Sequence, residues 1–288
     1  MPEGDTVFLA CKRLHQALAG QPVTASDFRV PQLATADLSG ATVLEVVPRG
    51  KHQLLRFSPA DRDADGEPLT LHTHFKMDGT WHLYRPGATR KGGPDFQVRV
   101  VLTTPDWEAV GYRLPVVELI PTAQEHTVVG HLGPDLLGPD WDLDEALRRL
   151  GSAPERTIGE ALLDQRNLAG IGTLYRAETL FLSGIHPRTP VAAVPDLRAV
   201  VERARRLLEA NKDRPDQSTT GDLRRGRTAW VFERARQPCR RCGTRIREEA
   251  FGPRGQERKA YWCPRCQPQK VAEPSRSVTG DHGPSLRP

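Results

Sequence analysis

Apolar residues near the start of the chain recur at helical spacing, at Val7, Cys11, Leu14 and Leu18, and the run stops at Gly20. The pattern predicts an amphipathic helix that begins almost at the terminus, with Asp5 as its N-cap and Cys11 as a core thiol on the buried stripe. From about residue 22 to residue 120 the periodicity becomes that of strands. Segments Thr42 to Val47, Gln53 to Phe57, Leu69 to His74, Thr80 to Tyr84 and Gln97 to Leu102 are separated by turn residues such as Pro48-Arg49-Gly50, Asp78-Gly79 and Arg85-Pro86-Gly87. This half is predicted to be a β-sandwich preceded by a helix. His72 and His74 share a strand face, as metal ligands could, but with no Cys or carboxylate nearby to complete a set they read as polar strand residues.

Helical signals return at Asp142 to Leu150. A capping box at Thr157-Ile158-Gly159-Glu160, in which Thr157 and Glu160 would each satisfy a terminal N–H, opens a helix running through Leu162 and Leu163. The Leu168-Ala169-Gly170-Ile171-Gly172 stretch predicts a sharp bend, after which Thr173 can cap a helix through Phe181 that Gly184 and Pro187 end. A last helix is expected from about Leu197 to Asn211, and the tail after Gln267 is expected to be disordered.

With 288 residues, 38% of them apolar, the chain can bury one or two cores and a small appendage without disulfide scaffolding. No run approaches the roughly 18 apolar residues of a membrane span, and the terminus lacks a basic segment followed by an apolar one, so a soluble, cytoplasmic protein with no membrane partner is expected. The net charge of +5 is unevenly spread: from residue 201 onward there are 21 Lys and Arg against 11 Asp and Glu, so the preceding residues are net acidic. That asymmetry suits a polyanionic partner, and equally a basic surface that is merely solvated.

Cys239-x2-Cys242-x20-Cys263-x2-Cys266 has the spacing of two knuckles joined by a hairpin, and four of the five cysteines fall in it. One tetrahedral Zn²⁺ is expected rather than two disulfides, because the cytosol is reducing. With every position filled by Cys, the metal would be structural, folding a segment too small for its own core and presenting Arg254, Arg258 and Lys259 between the knuckles. The zinc module alone leaves a non-catalytic zinc-ribbon nucleic-acid binder as an open reading.

Pro2-Glu3-Gly4, Arg49-Gly50-Lys51, Leu168-Ala169-Gly170-Ile171-Gly172, Gly184-Ile185-His186-Pro187, Pro238-Cys239-Arg240-Arg241-Cys242-Gly243 and Tyr261-Trp262-Cys263-Pro264-Arg265-Cys266-Gln267 follow one another along the chain. In that order they resemble the formamidopyrimidine-DNA glycosylase/endonuclease VIII family, and Pro-Glu-Gly-Asp-Thr-Val looks most like its actinobacterial endonuclease VIII branch. The resemblance implies an α+β fold: an N-terminal catalytic β-sandwich with a leading helix over 1–125, a helix–two-turn–helix DNA-binding domain over 126–230, a zinc finger over 231–268 and a tail over 269–288. It further implies a bifunctional glycosylase and lyase acting on damaged double-stranded DNA, expected to be monomeric and nucleoid-associated.

By that resemblance Pro2, once Met1 is removed, is the nucleophile; a terminal amine with pKa near about 8 keeps a usable neutral fraction. Glu3 is implied as the general acid, Lys51 as a phosphate contact and electrophilic assistant, and Arg258 as the clamp on phosphates flanking the flipped nucleotide. Gly170 and Gly172 are implied to let the backbone approach phosphate, and Met77 to fill the gap left in the base stack. Thr173 departs from the family's usual Asn, so the side-chain phosphate contact there would be weakened, replaced by the hydroxyl or supplied by Asn167, and Thr6 stands where many members carry a second glutamate. The short Lys212 to Ala229 segment points to oxidised pyrimidines rather than 8-oxoguanine, which remains the alternative together with a non-catalytic damage-binding paralogue.

Overall fold

The computed structural model describes residues 2–60, 66–252, 255 and 257–269. Helix α1 (Gly4–Leu18) buries Val7, Cys11, Leu14 and Leu18, the predicted stripe. Its N-cap is Glu3, in extended backbone with φ −122°, and not Asp5, which lies in the first turn. A carboxylate there still complements the helix dipole, but its oxygens are turned to other parts of the chain.

Strands β1 (Ala25–Phe28), β2 (Val43–Arg49), β3 (His52–Phe57), β4 (Leu69–His74), β5 (Thr80–Tyr84), β6 (Val98–Thr103), β7 (Glu108–Tyr112) and β8 (Val116–Pro121) form two four-stranded sheets, ordered β1-β6-β7-β5 and β2-β3-β4-β8. Every pairing in them is antiparallel. Val43, Leu55, Phe57 and Leu71 of one sheet meet Val100, Leu102 and Ala109 of the other, and the apolar stripe of α1 joins the same core. Central strand β7 is buried from Ala109 to Tyr112, because a second cluster of Val98, Val101, Val110 and Tyr112 covers its other face.

The helical half comprises α2 (His126–Val129), α3 (Leu143–Gly151), α4 (Ile158–Ala161), α5 (Thr173–Ser183) and α6 (Leu197–Asn211). Asp142 caps α3 by accepting from Glu145 N at 3.0 Å, and Asp196 caps α6 by accepting from Ala199 N at 2.8 Å. The capping box at Thr157 does not form. Thr157 Oγ1 instead donates to the Glu160 carboxylate at 2.5 Å, and α4 is a single turn.

Residues 173–181 of α5 are all buried, because two cores flank the helix. Leu174, Tyr175 and Leu180 pack with Leu136, Leu162 and Leu208, while Ala177 and Phe181 pack with Val231, Ile246 and Tyr261 of the cysteine-bearing segment. Gly184, at φ +69°, ends the helix in the left-handed conformation that glycine adopts without strain. Beyond it, β9 (Arg247–Phe251) and β10 (Arg258–Trp262) form an antiparallel hairpin with Arg258 opposite Phe251. Among the described residues no helix is long and apolar enough to cross a membrane.

Candidate active site

The first turn of a helix presents N–H groups with no intrahelical partner. At α5 they are satisfied from the far end of the chain: Glu3 accepts from Gly172 N and Leu174 N, each at 2.7 Å, and from Tyr175 N at 3.4 Å. Thr173, expected to cap this helix, is its first residue, and Gly172 holds the N-cap position without a side chain to offer. A larger residue at Gly172 would have to push both charged groups aside. A Cβ there would lie 2.6 Å from Glu3 Cδ and 2.7 Å from Lys51 Nζ, so carboxylate and ammonium are pressed against the same backbone. Gly170, at φ +103°, accepts from Gly4 N through its carbonyl at 2.8 Å and fixes the chain one residue past Glu3.

Lys51 arrives on the β2–β3 turn. Gly50 stands at φ +58° and donates its N–H to Asp135 Oδ2 at 2.6 Å, which docks the tip of a sandwich hairpin onto the helical half. Asp135 is buried and also accepts from Leu137 N at 3.0 Å. The two charges at the centre oppose their own burial. Burial raises the Glu3 carboxyl above the ordinary carboxylate range, against the Lys51 ammonium and the Leu174 N–H, which pull it down. Burial likewise lowers Lys51, Glu3 works against that shift, and Arg258 adds to it. An acid that holds its proton to higher pH and an amine that gives one up more easily therefore share one enclosure.

A cleft of about 550 Å³ opens onto this pair, lined by Pro2, Lys51, Met77, Gly172, Thr173 and Arg258. Lys76, Arg156 and Arg166 also face it. Asp164 pairs with Arg156 and Arg166, each at 2.7 Å, whereas among the described residues Lys51, Lys76 and Arg258 have no carboxylate within ion-pair distance. The floor is thus positively charged, as an anionic ligand requires. Met77 is 57% exposed on its rim, so it is not a core methionine.

Other sequence-predicted positions fall away from the cleft lining. Asn167 commits its amide N–H to Ala161 O at 2.9 Å, at the end of α4. Lys259 is exposed, lies 3.4 Å from Glu248, and its carbonyl accepts from Arg176 at 2.6 Å. Arg254 lies outside the described residues. His72 has the carboxylate that its sequence neighbourhood lacks: Glu118 of β8 is 2.9 Å from Nδ1, and His52 is 2.8 Å from Nε2.

Several residues that build the site give no short-range sequence signal. Asp5 is buried and meets Tyr175 and Gln217. Glu178 accepts from the backbone N–H groups of Trp230, Val231 and Phe232 and from the Thr219 hydroxyl, tying α5 to the segment that leads into the zinc module. Arg176 is buried beneath β10, and its burial lowers it to about 10. Each owes its place to a partner dozens of residues away, which a local pattern does not reveal.

The four cysteine sulfurs lie within 4.8 Å of one another. The separations Cys242–Cys263, Cys242–Cys266 and Cys239–Cys266 are 3.4, 3.6 and 3.9 Å. A tetrahedron with Zn–S bonds of about 2.3 Å has edges of about 3.8 Å, so the thiols fit one zinc ion and are far too distant for disulfides. Gln267 buttresses the site by accepting from Cys263 N at 3.0 Å and donating to Ile185 O at 2.8 Å. The zinc is structural, since no ligand position is left for water.

A fold of this plan, with a buried acid and a lysine in a basic cleft and a four-cysteine hairpin beside it, defines a class of DNA-repair enzymes. Family models match along the chain: the formamidopyrimidine-DNA glycosylase N-terminal domain over 1–113, its H2TH domain over 132–220, and the zinc finger found in FPG and IleRS over 236–269. Probable endonuclease 8 2 of Streptomyces coelicolor is 53% identical over 95% of this chain and 96% of its own. The DNA-(apurinic or apyrimidinic site) lyase Nei2 of Mycolicibacterium smegmatis is 45% identical over 93% and 99%. Among solved structures, Lactococcus lactis Fpg bound to DNA containing an abasic site superposes with a TM-score of 0.75 at 21% identity, covering 93% of this chain and 100% of that one. The chain belongs to the formamidopyrimidine-DNA glycosylase/endonuclease 8 family, on its actinobacterial endonuclease 8 side.

Proposed function

We propose that the protein is a bifunctional DNA glycosylase and abasic-site lyase of base excision repair that removes oxidised pyrimidines, with Pro2 as nucleophile. The observation that carries this reading is the enclosure of Glu3 and Lys51 against Gly172, at the floor of a basic cleft that Pro2 also lines. The Pro2 amine attacks C1′ of the flipped nucleotide while Glu3, holding its proton because it is buried, delivers it to the ring oxygen. The base leaves with the glycosidic electron pair and takes up the proton that the Pro2 nitrogen loses; the C1′–O4′ bond then breaks onto the protonated ring oxygen, and the nitrogen lone pair closes an iminium between Pro2 and C1′. That cation acidifies the C2′ protons, so β- and then δ-elimination break the strand on either side. Lys51 and Arg258 hold the flanking phosphates, and Met77 enters the vacated stack.

Lesion preference rests on the Lys212–Ala229 segment, which is short for a cover over an oxidised guanine, and on relatives named endonuclease 8. The fold alone does not decide it: Lactococcus lactis Fpg has been solved with an N7-benzyl-Fapy-dG and with an oxidised pyrimidine in DNA. The enzyme acts as a monomer on duplex DNA in the cytoplasm, with the cleft spanning the divisions at about residues 125 and 230. Single-turnover excision from matched duplexes carrying thymine glycol, dihydrouracil, 5-hydroxyuracil or 8-oxoguanine opposite cytosine tests the preference. The pyrimidine lesions are expected to be excised faster, and faster release of 8-oxoguanine would overturn the assignment.

A further inference from the structure

Asp5 is a buried carboxylate that the chemistry above does not use. Tyr175 Oη donates to its Oδ2 at 2.6 Å, and Gln217 Nε2 donates to Oδ1 at 2.9 Å and Oδ2 at 3.0 Å. Gln217 also reaches Thr6 Oγ1 at 3.3 Å, where the family resemblance sets a second glutamate. No Lys or Arg among the described residues lies within ion-pair distance of Asp5. A buried carboxylate met only by neutral donors is costly, and an amide or apolar residue of the same size would be cheaper. The arrangement therefore does something besides filling space.

The three partners belong to three different parts of the chain. Asp5 is on the turn that carries Pro2 and Glu3, Tyr175 is on the turn of α5 that Glu3 caps, and Gln217 lies in the segment between α6 and the zinc module. That segment is itself rigidly tied. Ser218 exchanges two bonds with Asn211 at 2.8 and 3.0 Å, Thr219 bonds Thr228 and Glu178, and Arg240 holds the carbonyls of Gly226 and Ala229. Its far end exposes Leu223, Arg224 and Arg225 to solvent. Through Gln217 this segment is joined to the turn bearing the nucleophile.

We propose that Asp5 is a positioning residue for Pro2 and Glu3, held in place by Tyr175 of α5 and by Gln217 of the Lys212–Ala229 segment. The inference rests on the glycosylase/lyase reading. It also has an electrostatic signature. The charged and titratable groups around Glu3 are the Pro2 amine that adjoins it in the chain, Lys51 from the β2–β3 turn, Asp5 from α1, and Tyr175 and Arg176 from α5, and of these Asp5 favours the protonated acid. Removing the Asp5 charge lets Glu3 ionise at lower pH, so the alkaline limb of the rate profile moves down.

The test is the rate of borohydride trapping on a duplex with a preformed abasic site, followed across a pH series with the zinc-loaded full chain. Asp5→Asn is expected to trap about 10- to 100-fold more slowly with its alkaline limb at lower pH, while zinc content and duplex affinity stay at wild-type values. Gln217→Leu is expected to slow trapping less and to leave the limb in place, because Asp5 keeps its charge; should Asp5→Asn fail to fold, this slowing at unchanged affinity decides the matter. Wild-type rates in both variants overturn the proposal alone. A wild-type protein that never traps overturns the glycosylase/lyase reading as well.

Discussion

The zinc module and the enclosure around Glu3 are built in opposite ways. Four cysteines between residues 239 and 266 converge through two short knuckles and one hairpin, so their chemistry is written in local spacing. Glu3, Lys51 and Gly172 converge only when a sandwich hairpin docks on Asp135 and α5 takes the terminal segment as its cap. The first is held by metal–ligand bonds, the second by packing across the whole molecule. The contrast teaches that the zinc module answers to its own local spacing, whereas the enclosure answers to contacts far from its own residues.

The largest effect that would sharpen this contrast is expected from Cys263→Ser. Structural zinc binding is worth about 10–16 kcal/mol in small modules, so the variant should lose its metal and the β9–β10 hairpin, and with it most affinity for lesion DNA. The N-terminal sandwich should keep its own thermal transition. Metal analysis, calorimetry and duplex binding check this together, and a Cys263→Ser protein that retains zinc and binds normally would break the comparison.

A smaller effect is expected from Arg258→Ala. Its guanidinium is exposed on β10, so zinc content and fold should be unchanged. The lost charge-assisted contact, worth about 1.5–3 kcal/mol, should weaken duplex binding by about one to two decades, with a shallower dependence on salt. Wild-type binding across a salt series would remove Arg258 from the clamp.

Legibility in the sequence follows the same division. Strands β4 and β5 and helix α6 lie at the ends that their periodicity predicts, since each is bounded by turn residues or a capping Asp. Strands β1, β7 and β8 give weaker signals. β1 is a short, mostly polar edge strand, β7 is buried on both faces and so does not alternate, and β8 ends on Pro121 with Pro115 before it. The zinc ligands are legible from their paired spacing together with a reducing compartment. Family resemblance points to Pro2, Glu3 and Lys51, which lie together at one cleft, whereas Asp5 reads locally as a cap because its partners, Tyr175 and Gln217, lie far along the chain.

The central claim is that the amine of Pro2 attacks the lesion sugar while Glu3, buried against Gly172, supplies the proton. Borohydride added during reaction on a lesion duplex measures this most directly, when the trapped adduct is digested and its peptide mapped. A covalent adduct on the terminal peptide at Pro2, absent when Met1 is retained or the terminus is acetylated, is the predicted result; an adduct on Lys51, or undiminished lesion cleavage with the terminus blocked, would contradict it.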